Sequence, residues 1–247
     1  MNHIQLYTAG SSTALFYAAD VLRRQGYELC ATAEDATHLL LPIPSFAPDG
    51  TIPGIGSPEE FFTNLPANIT IFGGNLDRPE LAAYSTFDLL KDPEYLAKNA
   101  MITAHCAIQI AASKLPITLE DCSVLVIGWG RIGKCLAKLL RQLDADVTVA
   151  ARKESDRAML RALGYHAIAA DNPDTLPYRL IFNTVPVMIA PHCPGPGLKI
   201  DLASKPGLGG TDVIWARGLP GKNAPESSGT LIAQTVINKL QRKELHL

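Results

Sequence analysis

The sequence predicts an α/β protein with two doubly wound parallel-sheet domains that are joined by a long helix. Three observations lead to this prediction. Short apolar runs of strand length alternate with amphipathic helical segments, which is the order typical of parallel sheets. The chain has 247 residues, which is long for a single domain. One helical segment, residues 92–114, is long enough to connect two domains.

The composition narrows the class of protein. Hydrophobic residues make up 47% and charged residues 19% of the chain, which suits a globular core. The net charge is −2 and the basic residues are dispersed, which argues against nucleic acid or a membrane surface as a partner. The first residues lack the features of a signal peptide, and no apolar run could span a bilayer. Five scattered cysteines without a CxxC pair predict reduced thiols and no metal site. We therefore expect a cytoplasmic protein.

The first domain is expected to be a flavodoxin-like substrate or catalytic domain over residues 1–98. A helix follows the capping residues Ser11-Ser12-Thr13 and ends at Gly26. Strands are predicted at residues 4–8, 27–30, 38–42, 69–72 and 85–89, with a short helix at 59–65. The segment 42–58 is rich in proline and glycine, and we interpret it as a surface loop beside a cleft.

The second domain is expected to be a Rossmann domain over residues 99–228. The bridging helix begins at Asp92-Pro93, a cap followed by proline in the first helical position. Strands are predicted at residues 123–127, 147–151, 165–168, 180–183, 198–202 and 213–216, with helices at 131–143 and 153–163. A final amphipathic helix begins at Ser228, and residues 229–247 are expected to pack back towards the N-terminal domain.

A glycine-rich loop indicates dinucleotide binding. The loop Gly128-Trp129-Gly130-Arg131-Ile132-Gly133 follows a β-branched strand and opens an amphipathic helix. The first glycine permits the turn, the second leaves room for the pyrophosphate, and the third lets the helix approach the strand. The helix N-terminus adds partial positive charge for the phosphates. A tight strand–helix turn without a ligand is the alternative.

The end of the second strand of this domain favours NADP over NAD. Ala151 occupies the position where an NAD enzyme keeps Asp or Glu for the ribose hydroxyls. It is followed by Arg152, Lys153 and Ser155, two cations and a hydroxyl that suit a 2′-phosphate. The alternative is that the two cations only begin a solvated helix, in which case NAD remains the cofactor.

The other strand ends carry candidate ligand-binding residues. Asn183 and Thr184 are expected to hold the nicotinamide ribose, and Val185 and Pro186 are expected to contact the cofactor beside them. Asp201 either takes part in catalysis or orders its own loop by accepting backbone N–H groups. Ser204 and Lys205, with the glycines at 209 and 210, predict an anion-binding nest for a substrate carboxylate.

His105 lies on the bridging helix beside Cys106, where the two domains are expected to face each other. A histidine there suits proton transfer. The alternative is an ordinary helical histidine, in the core or at the surface, that takes no part in the chemistry.

Together these motifs resemble the A-type subunit family of dipicolinate synthase, from about residue 90 to the C-terminus. The resemblance is carried by the glycine loop and by runs of sequence at Val149–Arg152, Asn183–Pro186, Asp201–Gly207 and Gly218–Pro225, with Gly229 beyond them. It implies an NAD(P)-binding oxidoreductase subunit that works with a flavoprotein-like second subunit. Their substrate would be the small dicarboxylate dihydrodipicolinate, oxidised to dipicolinate during sporulation. A homodimer is expected from base rates alone.

Two departures from the family pattern leave alternatives open. The family carries Thr-Ala-Glu-Gly on the bridging helix, where this chain has Thr103-Ala104-His105-Cys106, and the segment between Gly210 and Val213 is short. A stand-alone NADP-dependent dehydrogenase of another small carboxylate is therefore one alternative. A cofactor-binding regulatory subunit that performs no chemistry is the other.

Overall fold

The computed structural model describes residues 4–244. The chain divides into two compact units. The first contains the chain up to Asn99 and again from Pro220 onward, and the second contains Ala100–Leu219. No helix among the described residues is long and apolar enough to cross a membrane.

The first unit is built on a five-stranded parallel sheet. Its strands are β1 Gln5–Thr8, β2 Glu28–Leu29, β3 His38–Leu40, β4 Thr70–Gly73 and β5 Ser85–Asp88. They lie in the order β2-β1-β3-β4-β5, which is the flavodoxin-like order. Helices α1, Thr13–Arg24, and α2, Pro58–Thr63, belong to this unit.

The proline- and glycine-rich segment contributes to the core of the first unit, so its interpretation as a purely surface loop is wrong. Ile52 is 1% exposed and packs with the core residues of β3 and β4. Ser45 is fully buried, and its hydroxyl donates to Pro42 O and accepts from Gly74 N. A polar residue can be buried here because its hydrogen bonds are satisfied within the unit.

Three helices complete the chain. Helix α3, Pro93–Lys114, carries the chain out of the first unit into the second. Helix α6, Leu219–Asn223, is followed by α7, Pro225–Glu244. Pro225 takes the first helical position, so α7 begins three residues before the predicted start at Ser228. The chain returns to the first unit at Pro220, ahead of the boundary that the sequence suggested at residue 228.

Helix α7 packs closely against α1 within the first unit. The contact is made at Gly229, where an added Cβ atom would lie 2.5 Å from the Cβ of Tyr17 and 2.8 Å from the backbone nitrogen of Ala18. Only a glycine lets the two helix backbones approach this closely.

The second unit contains a six-stranded parallel sheet. Its strands are β6 Ser123–Ile127, β7 Asp146–Ala151, β8 His166–Ala169, β9 Leu180–Asn183, β10 Leu198–Asp201 and β11 Val213–Trp215. Their order, β11-β10-β9-β6-β7-β8, is that of the Rossmann fold. Helices α4, Arg131–Gln142, and α5, Glu154–Ala162, connect the first three strands. The predicted fold class is confirmed for both units.

The central strand of this sheet explains the strength of the sequence signal. In β6 the four residues from Val124 to Ile127 are fully buried, and a strand buried on both faces is apolar throughout. Helix α4 buries Leu136, Ala137 and Leu140 and contacts β6 and β7. Loops without helices follow β9 and β10, at residues 184–197 and 202–212.

Candidate dinucleotide-binding site

The strand register brings the predicted cofactor residues to one edge of the second unit's sheet. Ile127 pairs with Ala150 of β7 on one side and with Asn183 of β9 on the other. Asn183 in turn pairs with Asp201 of β10. The carboxyl ends of β6, β7, β9 and β10 are thus adjacent, and the strand order reverses at β6. Open α/β sheets bind ligands at such a switch point.

The three glycines of the loop have different surroundings. Gly128 has a φ of 105°, and a Cβ atom there would lie 2.8 Å from the side chain of Val185. At Gly133 a Cβ atom would press on the backbone of Gly128, 3.0 Å from its carbonyl carbon. At Gly130, the N-cap of α4, a Cβ atom would meet nothing within 4 Å. The outer glycines are required by the turn, whereas the middle one leaves open space beside the helix N-terminus.

Trp129 fixes the outer side of this loop. Its ring is half-buried and packs edge-on against the Tyr165 ring, with 6.0 Å between the ring centroids. The Lys134 ammonium lies 5.7 Å from the centre of the Trp129 ring. The Trp129 side chain therefore packs against its own unit, and the backbone of the loop is the part that suits a phosphate.

Asn183 was predicted to contact the cofactor, but its side chain is fully buried and engaged. Its amide nitrogen donates to Val185 O and to the Asp201 carboxylate, both at 3.0 Å. Its amide oxygen accepts from Val185 N. Thr184 also turns inward, since its hydroxyl donates to Ile127 O. These side chains shape the loop after β9, and Val185 and the exposed Pro186 remain the candidates in this loop for contact with a cofactor.

Asp201 orders the loops around it, which is one of the two roles left open by the sequence. The carboxylate is fully buried. One oxygen accepts from Asn183 Nδ2 and Ala203 N, each at 3.0 Å. The other accepts from Gly207 N at 2.7 Å and Leu208 N at 3.1 Å. A carboxylate with four donors is a structural anchor for both loops at this edge.

One of the two glycines of the predicted anion-binding nest after β10, Gly209, already uses its backbone amide within the protein. The amides of Gly207 and Leu208 already donate to Asp201, and the amide of Gly209 donates to Ala190 O at 2.8 Å. These N–H groups are therefore engaged within the protein. Ser204 and Lys205 have exposed side chains, so they remain the candidates in this loop for a substrate carboxylate.

The end of β7 presents the cations expected for a 2′-phosphate. Ala151 is 2% exposed and carries no carboxylate. Arg152, Lys153 and Ser155 are exposed at the start of α5. The sequence reasoning overlooked Arg157, whose guanidinium donates to the carbonyls of Ala151 and Arg152 at 2.7 Å each. The position of Arg157 six residues after Ala151 is the feature of the sequence that could have indicated this contact.

His105 is exposed on α3, and its neighbour Cys106 is buried. Burial raises the pKa of the Cys106 thiol, as it does for Cys122 and Cys193. These thiols are therefore poor nucleophiles at neutral pH. Among residues 4–244 no group of His, Cys, Asp and Glu side chains is arranged to hold a metal ion.

The sheet order, the glycine loop and the switch point define a two-unit α/β protein with a Rossmann-type dinucleotide-binding unit. A family profile described as the TrkA-N domain matches residues 124–176, which run from β6 to the loop before β9.

Comparison with known proteins confirms the resemblance to the A-type subunit of dipicolinate synthase. The chain is 27% identical to that protein from Bacillus subtilis over 234 aligned positions, which cover 82% of this chain and 76% of the relative. The crystal structure of the Bacillus subtilis protein matches with a TM-score of 0.77 at 20% identity, covering 100% of this chain and 99% of the other. The corresponding protein from Bacillus halodurans matches with a TM-score of 0.78 at 20% identity, covering 96% and 98%. This chain therefore shares the fold of both structures.

Proposed function

We propose that this chain is the NADP-binding subunit of an oxidoreductase of the dipicolinate synthase type. In this reaction dihydrodipicolinate becomes dipicolinate by losing a hydride and a proton, with NADP as the hydride acceptor. A flavoprotein-like second subunit is its proposed partner in a sporulating bacterium. The observation that carries the proposal is the open space at Gly130 within a loop whose outer glycines are tightly packed.

The cofactor proposal rests on the fit of the second unit to a dinucleotide. The first turn of α4 offers backbone N–H groups that have no partner within a helix, and the space beside Gly130 has room for a pyrophosphate. Arg152 and Lys153 supply two cations at the end of β7, where a carboxylate would favour NAD. When bound, the nicotinamide supplies the site that accepts the hydride.

The substrate proposal rests on polar and charged residues of the second unit. Lys205 supplies a cation and Ser204 a hydroxyl for a substrate carboxylate, and both are exposed after β10. His105 is proposed to accept the proton that is released when the ring becomes aromatic. All three assignments follow from residue chemistry, and His105 stands at the position where the family carries Glu.

Substitution of Gly130 by alanine tests the cofactor site. Gly130 has a φ of −80° and a ψ of −169°, which alanine adopts without strain. We expect an unchanged melting temperature and a dissociation constant for NADPH that rises about tenfold or more, because the methyl group occupies the pyrophosphate space. Gly128→Ala is the matched control, since its positive φ predicts a loss of stability instead. Wild-type affinity in Gly130→Ala would place the phosphates elsewhere and overturn the proposal.

Arg152→Ala tests the choice of cofactor. We expect weaker NADPH binding with NADH binding unchanged, because only NADPH carries the 2′-phosphate. If NADPH binding is unchanged and NADH binds equally well, the preference for NADP is wrong. Fluorescence titration of the reduced cofactors measures both constants.

Turnover separates the proposed enzyme from a binding protein. Reduction of NADP by dihydrodipicolinate is measured with and without the second subunit. Turnover in either case supports the enzyme, and turnover without the second subunit means that this chain does not need the partner for the reaction. Bound NADPH with no turnover in either case favours a regulatory role, an alternative motivated by His105 at the position where the family carries Glu.

A further inference from the structure

Arg157 holds the backbone at the end of β7. Its side chain is only 18% exposed, and its Nη1 donates to the carbonyls of Ala151 and Arg152 at 2.7 Å each. Hydrogen bonds from a charged donor are stronger than those between neutral groups. One guanidinium therefore sets the orientation of two consecutive peptide groups.

Those two peptide groups belong to the segment that presents the proposed 2′-phosphate ligands. Arg152 follows the first of them and Lys153 follows the second. Both of these side chains are exposed, and Lys153 is the N-cap of α5. A rotation of either peptide group would redirect the cations, although it would leave the glycine loop unchanged.

The rest of the Arg157 guanidinium is occupied by Glu154. Nε and Nη2 donate to Glu154 Oε2 at 2.9 and 2.6 Å, and Arg161 Nη2 donates to Oε1 at 2.6 Å. The hydrogen bonds from Arg161 and Arg157 lower the pKa of Glu154. The Glu154 carboxylate is 65% exposed, so solvent screens its charge. The charge of Glu154 therefore has little effect on a phosphate bound at the end of β7.

We infer that Arg157 is a positioning residue for cofactor selection, which acts through the carbonyls of Ala151 and Arg152 to hold the 2′-phosphate ligands in place. The inference rests on the proposed NADP-binding function. It goes further in assigning the selectivity to a residue that points towards the protein backbone. Loss of Arg157 then weakens the binding of NADPH and spares that of NADH, since the two cofactors differ only in the 2′-phosphate.

The experiment measures the dissociation constants of NADPH and NADH by fluorescence titration of the full chain. Arg157→Met removes the guanidinium and keeps an apolar stem. Arg157→Gln retains one N–H donor for a carbonyl and serves if the methionine variant is unstable. We expect the ratio of the NADPH affinity to the NADH affinity to fall about tenfold in Arg157→Met, which corresponds to the loss of roughly one charge-assisted hydrogen bond, and to fall by less in Arg157→Gln.

Two matched controls separate the carbonyl contacts from the ion pairs. Arg161→Met and Glu154→Gln each weaken the ion-pair network and leave the carbonyl contacts of Arg157 in place. We expect both to change the ratio less than about threefold. If Glu154→Gln reproduces the loss seen in Arg157→Met, the effect comes from the ion pair and the inference is overturned.

The outcomes distinguish this inference from the proposed function. The ratio in the wild-type chain decides whether the site prefers NADP, and the change in the ratio decides the role of Arg157. An equal loss of both cofactors in the Arg157 variants would make the residue merely structural and overturn the inference. A wild-type chain that binds neither cofactor overturns both proposals.

Discussion

Substitution of Asp201 by asparagine tests whether the buried carboxylate anchors the cofactor edge. Each carboxylate oxygen accepts two hydrogen bonds from groups at this edge. Asparagine keeps one oxygen and turns an NH₂ group towards the other pair of donors. Two buried N–H groups then lose their acceptor, at about 1–3 kcal/mol each. The expected cost is about 4 kcal/mol, a large part of the roughly 5–15 kcal/mol that stabilises a domain.

Thermal unfolding measures this loss. A cost of about 4 kcal/mol corresponds to a fall of about 10–20 °C in the melting temperature of a domain of this size. Asp171→Asn, at an exposed aspartate in the loop after β8, is the matched control, and we expect it to melt like the wild type. A shift of less than about 2 °C in Asp201→Asn would refute the reasoning, because it would mean that the four donors find other acceptors.

Two further predictions concern packing and pH. Gly229→Ala should destabilise the first unit by about 2 kcal/mol or more in denaturant unfolding, because the new methyl group collides with Tyr17. Gly221→Ala is the control: a Cβ atom at Gly221 would have no neighbour within 4 Å, so the free energy of unfolding should stay unchanged. Lys199 is 1% exposed and donates a hydrogen bond to Asp212. Asp212→Asn should therefore lower the free energy of unfolding by about 1–2 kcal/mol at neutral pH. This cost is smaller than that of breaking a fully buried ion pair, because the Asp212 carboxylate is 60% exposed. The Lys199 hydrogen bond lowers the pKa of Asp212. Its contribution is therefore complete above the unfolded-state pKa of about 4 and is lost as the pH falls through the lower folded pKa, so the difference in melting temperature between wild type and Asp212→Asn should shrink progressively as the pH falls below about 4.

The fold and the cofactor loop could be predicted because both depend on local patterns. Strand β6 is apolar throughout because it is buried on both faces, and the spacing of Gly128, Gly130 and Gly133 follows directly from the strand–turn–helix geometry. The lack of a carboxylate at position 151 could also be predicted, because the residue that contacts the ribose in an NAD enzyme lies at a known distance beyond the glycine loop. The order of the strands then followed from the two doubly wound fold types that the sequence predicted.

The polar residues were harder to assign because their roles depend on contacts between distant segments. Asn183 and Asp201 are 18 positions apart, and nothing in the sequence showed that each would satisfy the other. The same holds for Ser45, whose burial depends on Gly74 in another loop. Asn183 was interpreted as a ligand contact, and the segment that contains Ser45 as a surface loop. In the structure both side chains form hydrogen bonds with backbone groups.

The location of these buried polar groups suggests why the cofactor edge needs them. The connections after β9 and β10 lack the helices that cover a strand end in other βαβ units, and their backbone N–H groups need acceptors from elsewhere. The Asp201 carboxylate supplies acceptors for three backbone amides and for Asn183, which in turn satisfies Val185. The Arg157 guanidinium likewise donates hydrogen bonds to the carbonyls of Ala151 and Arg152, at the end of β7. A neutral residue at either position would satisfy fewer of these backbone groups, so the two charges stabilise the loops at this edge of the sheet.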